Sequence, residues 1–130
     1  MRKTDCNYKR ILIVDENSDL LEFLEKETQK TGLKYRFDKA DTFPRAVDLM
    51  FSGVYDLVIL DFPGIRGPYL LNLAFLREIP VVLLTSINLF SIEAYHLFEK
   101  GIKGLLPKEK IEEVVPILEK LFSNNRIGEP

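Results

Sequence analysis

One cysteine, Cys6, and one histidine, His96, stand in a chain of 130 residues. A single cysteine can form no intrachain disulfide, and with a single histidine there is no cysteine or histidine set to hold zinc. Neither charge is in excess, for eighteen basic side chains meet twenty acidic ones, a formal net charge of -2. An overall basic field of the kind that draws nucleic acid or an anionic membrane is thereby excluded. No apolar run approaches the ~20 residues of a membrane span. Behind the basic start MRKTDCNYKR, Asp15 and Glu16 interrupt the apolar stretch too early for a signal peptide. Gly64 and Gly67 form no phosphate-cradling loop, because no Gly-Lys-Thr follows them. Repeats, low-complexity stretches and internal linkers are missing as well. What these absences leave is one soluble domain of a reducing, cytoplasmic compartment. It is large enough to bury roughly two thirds of its unfolded surface without disulfide or metal.

What the chain does have is an alternation of two kinds of segment. Ile11-Leu12-Ile13-Val14, Leu57-Val58-Ile59-Leu60 and Val81-Val82-Leu83-Leu84 are short, apolar and rich in β-branched residues. Unbroken apolar runs of this length suit strands buried on both faces, as a parallel sheet requires. Lys34 to Phe37 alternates and predicts an edge strand; Gly104-Leu105-Leu106 predicts a short fifth one. Helical patterns lie between. Asn17 or Ser18 can cap a first helix carrying Leu20, Leu21 and Leu24 and closing at Gly32. Thr42 caps a second, with Pro44 in its first turn and Gly53 just past its end. Pro68 opens a third, to Arg77, and a fourth runs from about Ser91 to Lys100. In a fifth, Ile111, Val114, Val115, Leu118, Leu121 and Phe122 share one stripe, and Pro116 predicts a late start or a bend. Five βα units in succession, joined by right-handed crossovers, predict an α/β doubly wound parallel sheet with helices on both faces. The domain spans 9–123, with flexible termini at 1–8 and 124–130.

Ligands of open α/β sheets bind at the carboxyl ends of the strands. Asp15 and Glu16 follow the first apolar run, Asp61 the third, Thr85 and Ser86 the fourth, and Lys108 the fifth. Three carboxylates held together repel one another, and a hard divalent ion such as Mg²⁺ relieves that repulsion while keeping coordination positions for phosphate oxygens. Lysine adds a point charge for a phosphoryl group and threonine a hydroxyl that can hydrogen-bond to it. Asp61 could be the nucleophile, forming an acyl phosphate.

Over nearly its whole length the sequence resembles the receiver domains of two-component response regulators, in particular the stand-alone, chemotaxis-regulator-like kind. The resemblance is carried by Ile11-Leu-Ile-Val-Asp-Glu16, Tyr55-Asp-Leu-Val-Ile-Leu-Asp61, Pro80-Val-Val-Leu-Leu-Thr-Ser86 and Gly101-Ile-Lys-Gly-Leu-Leu-Pro-Lys108. It implies a flavodoxin-like strand order 2-1-3-4-5. It implies that Asp15, Glu16 and Asp61 hold Mg²⁺ with a backbone carbonyl that falls on Pro63, that Asp61 is the phosphoacceptor, that Thr85 is the switch hydroxyl and that Lys108 binds the phosphoryl oxygen. Three features depart from the family pattern: the loop after Asp61 is two residues shorter, Leu105 stands where the family carries a switch tyrosine or phenylalanine, and Glu109 replaces a frequent proline.

The function implied is a phosphoacceptor module in a phosphorelay. It would take a phosphoryl group from a histidine kinase or a phosphotransfer protein and catalyse nothing beyond its own phosphorylation and dephosphorylation. Output would pass to a protein partner or a second copy through the 89–122 face, where Leu89 to Phe98 is apolar over more of its circumference than one core stripe needs. The alternative is a pseudo-receiver: the same fold and surfaces, not productively phosphorylated because of the shortened loop. Isolated His96 reads as a surface or packing residue, and the basic N-terminal residues as a solvated tail.

Overall fold

The three apolar runs become the three central strands of the computed structural model, which describes residues 8–31, 34–86 and 91–127. In chain order the elements are β1 (Lys9–Val14), α1 (Asp19–Thr28), β2 (Tyr35–Ala40), α2 (Phe43–Ser52), β3 (Leu57–Phe62), α3 (Gly67–Leu76), β4 (Val81–Thr85), α4 (Ser91–Lys100), β5 (Gly104–Pro107), a 3-10 turn (Lys108–Glu113) and α5 (Val114–Ile127). The sheet is parallel throughout, in the order β2-β1-β3-β4-β5, so β2 and β5 are its outer strands. That is the flavodoxin-like arrangement expected. Among the described residues, no helix is long and apolar enough to cross a membrane.

Two apolar layers sandwich the sheet because strand side chains alternate between its faces. Leu12, Val14, Val58, Leu60, Val81 and Leu83 face α2 and α3, where Ala46, Met50, Leu70 and Ala74 meet them. Ile11, Ile13, Leu57, Ile59, Val82 and Leu84 face α1 and α5, against Leu20, Leu24, Val114 and Leu118. Every central strand is thus apolar on both sides, which explains the unbroken runs.

Several boundaries depart from the sequence reading for local reasons. α1 ends at Thr28, short of Gly32, as Thr28 turns its hydroxyl back onto the Leu24 carbonyl (2.7 Å) and the chain turns through 29–31; Gly32 lies outside the described residues. β2 starts and ends later than expected, because all six of its residues pair with β1. Its second half is fastened by Asp38, which accepts from the Tyr55 hydroxyl (2.7 Å) and from Arg10 (3.3 Å). Burial and then that hydrogen bond push the Tyr55 hydroxyl up to about 12, so it remains a neutral donor. Thr42 does cap α2, accepting from the Arg45 N–H at 3.3 Å. The late start required by Pro116 is real: α5 begins at Val114, after a kink at Lys110 (φ -106°, ψ 38°), placing Pro116 in the first turn where a missing N–H is harmless. α5 continues to Ile127, past the boundary read at 123.

Candidate functional site

Parallel register carries the strand ends to one edge. Val14 pairs with Leu60, so the following residues, Asp15 and Asp61, stand at the same level on neighbouring strands. Phe62 pairs with Thr85 and Thr85 with Pro107, which brings Lys108 to the same edge from beyond β5. Asp15, Asp61 and Thr85 are 4%, 7% and 6% exposed, the polar ends of otherwise apolar strands.

Lys108 reaches across β4 to Asp61: its Nζ lies 3.0 Å from Oδ2, with the lysine side chain still 37% exposed. The ammonium can therefore meet an incoming anion while it neutralises a buried carboxylate. Asp15 is held differently. Its Oδ1 accepts from the Asn17 N–H at 2.9 Å, and Asn17 Oδ1 accepts in turn from the Asp19 N–H at 3.0 Å. Of the two capping candidates it is therefore Asn17 that makes the bond at the start of α1; Ser18 makes no side-chain cap. Glu16 is exposed beside them.

The short loop between β3 and α3 closes over the same carboxylate. The carbonyls of Pro63 and Gly64 both accept from the Gly67 N–H, each at 2.7 Å. The backbone of Gly64 approaches Asp61 so closely that an added Cβ would lie 2.6 Å from Oδ2 and 3.0 Å from Cγ. Only glycine fits there. Arg66, at the N-terminus of α3, takes a left-handed backbone conformation (φ 48°, ψ 49°). For a residue with a Cβ that costs about 1 kcal/mol or more. Its guanidinium lies 4.4 Å from the centroid of Phe43 and 5.3 Å from that of Tyr69, and the two rings make an edge contact at 5.4 Å. Nothing in the sequence pattern pointed to Arg66. A lone arginine between Ile65 and Gly67 in a loop carries no periodic signal.

The donor set bears on a divalent ion. Asp15 and Asp61 offer buried, hard carboxylate oxygens, and Lys108 offsets the charge of Asp61 alone, a set that suits Mg²⁺, which binds through one or two carboxylates and keeps waters. Among the described residues no group of three or more His, Cys, Asp or Glu lies close enough to hold a metal by itself. The Pro63 carbonyl is engaged with Gly67, though a carbonyl has a second lone pair.

Elsewhere, Leu105 is half-buried against the α2–α3 layer, and His96 sits on the surface beside Glu99 (3.5 Å). On α4, Ile92, Tyr95 and Phe98 are 66%, 61% and 47% exposed. Leu89 and Phe90, the first part of the apolar stretch read from the sequence, lie outside the described residues.

No protein-family model matches the sequence, and no curated protein matches it. Solved structures do. The non-phosphorylated HemR receiver domain of Leptospira biflexa is 29% identical, covering 88% of this chain and 94% of its own, with a TM-score of 0.72. The response regulator TrrA of Thermotoga maritima, in complex with Mg²⁺-BeF, is 32% identical over 84% of this chain and 98% of its own, at 0.60. The signal receiver domain of an HD domain-containing protein from Pseudomonas fluorescens is 25% identical over 92% and 98%, at 0.72. Identity at this level along almost the full length of a response regulator, on the same strand order, is more than a shared architecture, and the chain belongs to the response regulator receiver domains.

Proposed function

We propose that residues 9–123 form a phosphoacceptor module that takes a phosphoryl group onto Asp61 and uses it to change a protein-binding face. The observation that carries this reading is the 3.0 Å pair between Lys108 Nζ and Asp61 Oδ2 at the end of a buried strand. A carboxylate oxygen of Asp61 bonds to phosphorus while the donor's P–N or P–O bond breaks, its electron pair leaving with the donor. The donor is a histidine kinase, a phosphotransfer protein or a small phosphodonor. Lys108 offsets the charge on the phosphoryl oxygens, and the Thr85 hydroxyl supplies a hydrogen bond to them. Asp15 and Asp61 would hold Mg²⁺, with the Pro63 carbonyl as a further oxygen donor and Glu16 exposed beside them rather than clustered with both; the ion's contribution when bound is to neutralise phosphoryl charge. The complex of TrrA with Mg²⁺-BeF supports this part of the reading. The test is intact-mass measurement after incubation with a small phosphodonor. One HPO₃ should be gained with millimolar Mg²⁺ and none with a chelator present. A folded chain that gains none under any condition would instead be the pseudo-receiver.

The face we assign to output is 89–122, because Ile92, Tyr95 and Phe98 expose large apolar area along one helix. Its occupant is a protein partner or a second copy, not nucleic acid or membrane, in keeping with a net charge of -2. Leu105 is smaller than the aromatic residue usual at its position, so the two states should differ modestly. Tyr95→Glu should weaken phosphoryl-mimic-dependent self-association or partner binding about tenfold, ~1.4 kcal/mol, and leave phosphoryl uptake unchanged. Sedimentation with and without beryllofluoride reads the first effect. An unaltered association constant would move the interface elsewhere.

A further inference from the structure

The loop that covers Asp61 has one apolar anchor, Ile65, which packs against the α2–α3 layer. Pro63 and Gly64 are exposed, Ile65 is only half-buried, and Gly67 belongs to α3. A second tie, on the outer side of the loop, is the exposed Arg66. Its backbone adopts the left-handed conformation that arginine disfavours, so something must hold it there. The only contacts its side chain makes among those described are with the rings of Phe43, at the first turn of α2, and Tyr69, in the first turn of α3. A guanidinium over aromatic rings is held by cation–π attraction, and it gives up its hydration more readily than an ammonium does. The Arg66 carbonyl also accepts from the Tyr69 and Leu70 N–H groups (3.1 Å each), so the strained backbone is held at the start of α3 while its side chain reaches α2.

We propose that Arg66 is a positioning residue: with its guanidinium over the rings of Phe43 and Tyr69, it holds the 63–66 loop so that the Gly64 backbone stays against the Asp61 carboxylate. Gly64 would clash with Asp61 if it carried a Cβ, so small displacements of this loop translate directly into the room around Oδ2, the oxygen that Lys108 also contacts. The shortness of the loop makes the clamp effective, for few residues intervene between the anchor and the carboxylate. Access to the Asp61 oxygens is thus set from α2, an element that contributes no group to the site.

The inference deepens the proposed phosphoacceptor role and rests on it for its consequence, though not for its geometry. Two readouts keep the two apart. The first is amide hydrogen exchange at Gly67, whose N–H is bonded to the Pro63 and Gly64 carbonyls. The second is the rate of phosphoryl uptake at saturating small phosphodonor and Mg²⁺. Arg66→Asn is the informative variant, because asparagine tolerates the left-handed backbone but brings no cation to the rings. It should speed Gly67 exchange at least tenfold while amides within α3, such as Leu71 and Leu73, keep their protection, and it should slow uptake fivefold or more. Phe43→Leu should reproduce both effects, and the double variant should lose no more than either single one, since both remove the same contact. Arg66→Lys should recover little. If Arg66→Asn exchanges at Gly67 and takes up phosphate as the parent chain does, the clamp is refuted. If the parent chain takes up no phosphate yet Arg66→Asn still frees Gly67, the clamp stands and the phosphoacceptor reading falls.

Discussion

Asp61→Asn should end phosphoryl uptake altogether while the domain stays folded. The amide matches the carboxylate in shape but has no anionic oxygen to attack phosphorus, and none of its neighbours can substitute. Asp15 is the other buried carboxylate of this edge, but its Oδ1 is engaged with the Asn17 N–H and it has no ion pair with Lys108. Stability should change little. The pair that is lost has one partner 37% exposed, and such pairs contribute about 1 kcal/mol or less. The expected result is therefore a flat mass spectrum from a protein whose melting temperature moves by only a few degrees. A phosphate retained by Asp61→Asn and mapped to another side chain would overturn the assignment of the nucleophile.

The second large effect is on folding. Leu83 in β4 is fully buried in the layer facing α2 and α3. Leu83→Ala should cost about 2–5 kcal/mol, the lost transfer energy plus the cavity left between helices too well packed to close it. For a domain of this size that is a fall in melting temperature of roughly 10 °C or more. Leu76→Ala is the matched control. Leu76 is 82% exposed at the end of α3, and its loss should stay within about 0.5 kcal/mol. Equal shifts for the two variants in calorimetry would mean the core has been wrongly drawn.

The same contrast explains what could be read from the sequence. Ile11–Val14, Leu57–Leu60 and Val81–Leu84 announce the sheet because burial on both faces leaves no room for polar residues. The positions that follow them, Asp15, Asp61 and Thr85, and Lys108 after the short fifth strand, could then be assembled at one edge by topology alone. Elements stabilised by particular side-chain bonds were less legible. β2 is half-buried, and its later half depends on Asp38 meeting Tyr55 and Arg10, partners 17 and 28 residues away in sequence. α1 stops where Thr28 bonds back to Leu24, a local event that the expectation of a terminal glycine at Gly32 did not anticipate. Arg66 is the extreme case. Its guanidinium lies over rings on two different helices, a contact with no signature in the residues beside it.

The strand order has a further consequence, for colloidal behaviour. A sheet that is not closed into a barrel ends in two strands whose outward N–H and C=O groups can recruit a strand from another molecule. Here the outer positions fall to β2 and β5. β5 is four residues long and ends in Pro107, which offers no N–H. β2 is longer, but it carries Arg36, Asp38 and Lys39 in succession around Phe37, and a strand docking alongside would have to desolvate them. Each rim of the sheet thus carries its own deterrent to edge-on aggregation, leaving the exposed helix faces as the surfaces through which ordered association can proceed.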